Sequence, residues 1–256
     1  PTIHGTLLLN DSLTGQPIIS MDCAELTAYR TAAVSALAGK HLTMNNLVRT
    51  LTFIGCGYQA KLHALMYRKV FPNVMYIHLY DKNKDSAIKL QKWINATDIV
   101  FDDTSTVELP NVECVIHDNL KVACSGTDLI TTLTPSTEPY LGLEDIDHPF
   151  HINAIGADAV GKRELKDNIW SEFHAVVDDY QQAVHSGEMQ YKKKLHYLDL
   201  ANIIKSSQGG LRQKQTIFDS TGLAIEDIAI GRLIYEQYHQ RNFGRKIRKY
   251  HCRTFG

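Results

Sequence analysis

The sequence is poor in the residues that build covalent or metal staples. Its five cysteines, Cys23, Cys56, Cys114, Cys124 and Cys252, are odd in number, and none belongs to a C-x-x-C pair. That argues against a disulfide framework and a structural zinc site, and a reducing cytoplasm is the expected compartment. The twelve histidines show neither H-E-x-x-H nor H-x-H spacing, so no metal is expected, and His63 and His151 read as packing or loop residues. No apolar run approaches the roughly 20 residues of a membrane span, and no signal-peptide pattern opens the chain. Internal repeats and low-complexity segments are absent too.

Charge is balanced overall but uneven. The net charge is −1, yet Arg241, Arg245, Lys246, Arg248, Lys249 and Arg253 fall together with no acid among them, which leaves −7 for the rest. A solvated basic tail at a helix end is the expectation, so neither nucleic acid nor a membrane is expected as a partner. Hydrophobic content of 44% and charged content of 21% over 256 residues describe a globular chain with ample core, in one large domain or two modest ones.

The informative stretch is Leu51 to Asp81. Leu51-Thr52-Phe53-Ile54 is a β-prone apolar run. Gly55-Cys56-Gly57-Tyr58-Gln59-Ala60 follows at once, then a helical segment to about Val70, a second β-prone run from Met75 to Tyr80, and Asp81. A strand, a G-x-G-x-x-A turn, a helix, a strand and an acid make a dinucleotide-binding (Rossmann) unit. Gly55 allows the tight turn, Gly57 lets a pyrophosphate approach the backbone, and Ala60 lets the helix pack on the strand. The helix N-terminus offers free N–H groups to the phosphates. A carboxylate at Asp81 accepts both ribose hydroxyls and repels a 2′-phosphate, so NAD is expected rather than NADP, although Lys82 and Lys84 stand nearby. Cys56 reads as a small filler of the turn, not a nucleophile.

Thr2–Leu9 and Gln16–Met21 predict a hairpin around the turn residues 10–15. Asp22, with Glu25 three residues on, predicts the cap of a helix over 24–42, with Leu26, Tyr29, Ala33, Leu37 and Leu42 on one face. Arg30 in that helix either faces an anion or lies on the surface. Further helices are expected over 85–95 and 118–124, a loop over 102–111, and strands over 112–116, 129–133, 150–155 and 175–177. The last of these is expected to close the Rossmann sheet, and 181–214 to be helix and loop. Strand ends at Thr134 and at Gly156-Ala157-Asp158 are well placed for ligands. Asp158, just past a strand end and between glycines, is the best candidate acid/base, against the plainer reading of a loop or cap aspartate. Thr216–Phe218 predicts a strand. Ser220-Thr221-Gly222 leads an amphipathic helix, Leu223 to about Gln240, with Ile225, Ile228, Ala229, Leu233 and Ile234 on a buried face. The expected fold class is α/β: a Rossmann-type domain over 43–205, with residues 1–42 and 206–256 forming a second, discontinuous substrate and dimerisation layer.

Read in order, Arg30-Thr31-Ala32-Ala33, Ile54-Gly55-Cys56-Gly57-Tyr58-Gln59, Leu79-Tyr80-Asp81, Thr131-Thr132-Leu133-Thr134, His151 through Asp158, Gly161-Lys162 and Thr221 through Asp227 span the chain. In these pieces the sequence resembles the ornithine cyclodeaminase/μ-crystallin family. The resemblance implies a homodimer acting on a small amino acid or imine with NAD. Arg30 would bind the substrate carboxylate near the nicotinamide, and Thr2 would sit beside the cofactor. Tyr58 and Gln59 would present the turn to the pyrophosphate. Thr134, Lys162 and the Ile155-Gly156-Ala157 run would line the cofactor cleft, and Ser220 and Thr221 would close the pocket. Asp158 would handle the proton on the reacting amine. The implied reaction is deamination and cyclisation of ornithine to proline. The alternatives are an alanine-dehydrogenase-like, ketimine-reductase-like or opine-forming oxidoreductase, and a non-catalytic binding protein like μ-crystallin. The resemblance further implies an N-terminal segment ahead of Pro1, with more substrate contacts and a catalytic lysine. A chain without it is expected to bind NAD and to fall short in turnover.

Overall fold

The computed structural model describes residues 4–44, 47–97, 100–102, 105–106, 109–147, 149–192, 195–206 and 214–240. Thr2 and the basic stretch 241–253 lie outside the described residues. The chain folds as two units, the larger running from Thr27 to Leu223 and the smaller taking the described residues up to Leu26 and from Ala224 onward.

In the larger unit eight strands form one sheet. They are β3 (Thr50–Ile54), β4 (Tyr76–Tyr80), β7 (Glu113–Ile116), β8 (Leu129–Thr132), β9 (His151–Ala154), β10 (His174–Val177), β11 (Tyr197–Asp199) and β12 (Thr216–Asp219). The order is β11-β10-β12-β9-β8-β3-β4-β7, and every neighbouring pair is parallel. β3, β8, β9 and β12 are buried at every residue, as a parallel sheet covered on both faces requires. Phe53, Phe71, Leu79 and Leu129 pack on one face and Ile130, Ile152, Trp170 and Ile217 on the other. The helices are α1 (Cys23–Leu42), α2 (Tyr58–Val70), α3 (Lys84–Asn95), α4 (Leu120–Cys124), α5 (Tyr180–Ser186) and α6 (Leu200–Ser206). Two short strands, β5 (Val100–Asp102) and β6 (Ser105–Thr106), pair antiparallel where a loop was expected.

Two expectations need correction. β10 does not close the sheet: β11 adds beyond it, and β12 lies between β9 and β10. The larger unit runs on to Leu223 and takes in most of α1. On α1 Leu26 and Leu42 are buried as expected, but between them the buried residues are small ones, Ala28, Thr31, Ala32, Ser35, Ala36, Ala38 and Gly39, while Tyr29 and Leu37 are exposed. The helix lies close: a Cβ on Gly39 would stand 2.9 Å from the Phe71 ring and 3.1 Å from Leu129, so small side chains face inward.

In the smaller unit β1 (Thr6–Asn10) pairs antiparallel with β2 (Pro17–Asp22), as the turn residues predict, and Asp22 Oδ1 accepts from Ala24 N at 2.7 Å. Helix α7 (Ala224–Gln240) buries only Gly231, against Leu7 of β1. Ile225, Ile228, Ala229, Leu233 and Ile234, expected on a buried face, are exposed. No helix among the described residues is long and apolar enough to cross a membrane.

Candidate dinucleotide and substrate site

Strand order reverses between β3 and β8, and the crevice beyond their carboxyl ends is where open α/β sheets take ligands. A cavity of about 350 Å³ lies there, lined by Gly55, Gly57, Asp81, Lys82, Thr134 and Tyr140 among others. Gly55 has φ +96°, a left-handed conformation that favours glycine, and a Cβ there would stand 2.8 Å from the Leu133 carbonyl oxygen. Gly57 is the contrasting case: a Cβ there would meet nothing within 4 Å, so its Cα faces open space beside the first turn of α2. No side chain caps that turn, which leaves its amides to a ligand. These features fit a dinucleotide, with the turn for its pyrophosphate.

Asp81 serves the turn as well as the cavity. Its Oδ2 accepts from Cys56 N at 2.7 Å and its Oδ1 from Asn83 N at 2.8 Å. A carboxylate has about four acceptor positions, so both oxygens keep capacity for ribose hydroxyls. Lys84 is paired with Asp118 at 2.7 Å, on the surface, whereas Lys82 lines the cavity. Cys56 is buried, and burial raises its thiol well above the usual range, which suits a filler and not a nucleophile. Tyr58 is exposed at the turn. The Gln59 carbonyl bonds His63 Nδ1 at 2.9 Å, while its Oε1 is buried with no protein partner among the described residues.

Arg30, Asp158, Lys162, Ser220 and Thr221 stand outside the lining of that cavity. Arg30 meets the turn that ends at Gly222, and Asp158 meets Lys162. A Cβ on Gly222, whose φ is +77°, would run into the Arg30 guanidinium, so the arginine lies directly against the 220–222 turn. Asp158 is exposed after β9 and forms an ion pair with Lys162. Gln190 steadies that loop: its Oε1 accepts from Gly161 N at 3.0 Å and its Nε2 donates to Lys162 O at 3.1 Å. Ile155 and Ala157 are buried, and Gly156 N is held by a carboxylate.

That carboxylate, Glu164, escaped the sequence reading, as did three others at the strand ends. Asp178 accepts from Thr221 N at 2.8 Å, Gly222 N at 2.9 Å and the Ser220 and Thr221 hydroxyls at 3.2 Å, so it shapes the turn beside Arg30. Asp219, fully buried, accepts from Glu188 N at 3.0 Å and Met189 N at 2.9 Å. Glu188 Oε1 accepts from Glu164 N at 2.5 Å and Leu165 N at 3.2 Å. Burial pushes Glu188 up to about 9 and Asp219 to about 7, with neighbouring carboxylates adding to the rise. Burial also raises Glu164, against the pull of its bonds from Thr132, Thr134 and Tyr140. Only Asp219-Ser220, at the end of a β-prone run, gave a sequence signal.

Known proteins bear on this arrangement. The sequence profile of the ornithine cyclodeaminase/mu-crystallin family matches residues 1–242. An alanine dehydrogenase of Archaeoglobus fulgidus is 34% identical over 257 residues, covering 97% of this chain and 74% of its own. Among solved structures, an archaeal alanine dehydrogenase dimer with bound NAD has a TM-score of 0.82 at 32% identity, covering 98% of this chain and 76% of its own. A lysine cyclodeaminase that recognises L-lysine, L-ornithine and L-2,4-diaminobutyric acid has a TM-score of 0.80 at 29% identity, covering 95% and 68%. With its glycine turn, its strand-end acids and its eight-stranded parallel sheet, the chain belongs to the ornithine cyclodeaminase/mu-crystallin family.

Proposed function

We propose that the protein carries out NAD-dependent hydride transfer at the Cα of a small amino acid or its imine. The carrying observation is the cavity at the switch point, where Gly55, Gly57, Asp81 and Thr134 meet. NAD supplies the oxidant or reductant when bound. Gly55 to Gln59 would hold its pyrophosphate and Asp81 its adenosine ribose. Arg30, braced against Gly222, would take the substrate carboxylate through paired charge-assisted bonds and so orient Cα. Asp158 would take the proton from the amine and return it, and its pairing with Lys162 holds the carboxylate in place for that step. A homodimer fits the exposed apolar side chains Ile225, Ile228, Leu233 and Ile234.

Net oxidoreduction, of the alanine-dehydrogenase kind, is favoured over cyclisation of ornithine by the 34% likeness over nearly the whole chain. Cyclodeamination remains the second reading, from the likeness to lysine cyclodeaminase. The deciding experiment incubates the full-length gene product with NAD and ornithine, lysine, alanine or glutamate, following ammonia and NADH in the same tube. Stoichiometric NADH supports the first reading. Ammonia with ornithine and no net NADH supports the second. Neither signal, with NAD bound, leaves a binding role of the μ-crystallin kind. Asp158→Asn is expected to spare NAD binding and abolish turnover, and unchanged turnover would remove its assigned role. Asp81→Ala is expected to weaken NAD far more than NADP, and equal losses would sink the argument for NAD.

A further inference from the structure

Of the four strand-end carboxylates, Glu164 is the one that touches a residue lining the cavity. It is fully buried and receives five donors from three separate segments. Oε1 accepts from Thr134 N at 2.8 Å, Thr134 Oγ1 at 2.6 Å and Tyr140 Oη at 2.8 Å. Oε2 accepts from Thr132 Oγ1 at 2.5 Å and Gly156 N at 2.9 Å. The two backbone N–H groups cannot turn away, and five donors suit a group that only accepts. Gly156 is seated on the carboxylate: a Cβ there would stand 2.6 Å from Glu164 Cδ and Oε1 and would strike the Thr134 carbonyl.

The consequence falls on Thr134, which lines the cavity. A hydroxyl has one proton, and Glu164 takes it at the shorter of the two distances, 2.6 Å against 3.2 Å to Tyr140. Ser136 N donates to one lone pair of the Thr134 oxygen at 3.4 Å, and the other is left for a donor in the cavity. We propose that Glu164 is a positioning residue of the cofactor cleft, which clamps the segment after β8 to the segment after β9 and fixes the Thr134 hydroxyl as an acceptor for a hydroxyl or amide N–H of the bound dinucleotide. This rests on the dinucleotide reading above.

The test measures NAD affinity by fluorescence titration, with thermal melts, on the full chain and on Glu164→Gln, Thr134→Val and the double variant. Wild type that fails to bind NAD removes the dinucleotide reading itself. With wild type binding, Glu164→Gln puts an amide donor among donors and is expected to weaken NAD about tenfold. If Glu164 acts through Thr134, the double variant binds within about twofold of Glu164→Gln alone, because the shared contact is lost once. Wild-type affinity in Glu164→Gln, or losses that multiply in the double variant, overturn the proposal. Should Glu164→Gln fail to fold, Thr132→Val removes one donor from a residue outside the cavity lining. It is expected to weaken NAD about threefold, and unchanged affinity there overturns the proposal equally.

Discussion

Where Ser35 of α1 and His63 and Tyr67 of α2 meet the sheet, a network of neutral polar groups is buried; at the carboxyl ends of the strands the network is built on acids. In the first region Asn153 Nδ2 donates to Ser35 O at 3.2 Å and to Tyr67 Oη at 2.6 Å, while its Oδ1 faces His151 Nε2 at 2.9 Å. His151 Nδ1 meets Thr216 at 2.7 Å, Tyr67 meets Thr131 at 3.0 Å, and His63 lies between Ser35 and the Gln59 carbonyl. The carbonyl fixes the proton of His63 on Nδ1, and Asn153 Oδ1 fixes that of His151 on Nε2. Burial lowers both imidazoles to about 4, so both stay neutral. In the second region Asp178, Asp219, Glu188 and Glu164 hold backbone amides of loops, and Glu188 Oε2 has no partner among the described residues. A network inside the packing must satisfy every member, since each orphan costs about 1–3 kcal/mol. A network that holds loops answers to the loop geometry, and here it carries a partly unsatisfied carboxyl.

Removing a load from each region should rank them. Asp219→Ala strands two buried amides, those of Glu188 and Met189, and is expected to cost about 4 kcal/mol in denaturant unfolding. Asn153→Leu strands His151 Nε2 and takes a donor from Tyr67 Oη, and is expected to cost about 3 kcal/mol. A reversed order would place the tighter constraint in the packing region. The pH response separates the two next. Glu188 rises from its ordinary 4.5 to about 9, so between those values the folded state holds a proton that the unfolded state has released, and stability falls as pH rises. Asp219 acts likewise up to about 7. The two histidines act oppositely: between about 4 and 6.5 the unfolded state binds protons that the folded state refuses, so their share of stability rises with pH. Below 6.5 the regions oppose each other; above it the acids act alone, and unfolding free energy should decline from pH 7 to 9. The smallest effect belongs to Glu188→Gln, which mimics the protonated acid. At pH 6 it should leave stability within about 1 kcal/mol of wild type, and it should flatten the decline above pH 7. An undiminished slope in that variant would assign the titration elsewhere.

The central strands, the glycine turn and Asp81 were legible because each has a local cause: a β-prone run, a positive φ, an acid at a strand end. The middle of the α1 face was not, because closeness of packing between Leu26 and Leu42 selected alanines over the larger Tyr29 and Leu37 that periodicity points to. β12 was visible as a strand but its place was not, since insertion between β9 and β10 is settled by pairing across the fold. Glu164 hid among Lys162, Arg163 and Lys166, where an acid reads as one more surface charge. Only the return of the chain beneath Gly156 and Thr134 takes it out of water. Arg30 was open between surface and anion on the sequence, and its contact with Gly222 places it at the turn that Asp178 shapes.

The position of β12 carries an order of events. β10 and β11 are made before the strand that joins them to β9, and β9 pairs with β12, not with β10. A chain emerging from the ribosome therefore holds a five-stranded half and a two-stranded half that share no ladder until residues 216–219 arrive. Until then the open edges of β9 and β10 can pair with other chains. Any nascent chain that stalls before Thr216 exposes both edges at once, so the last of the described strands to be made is also the one that joins the two halves.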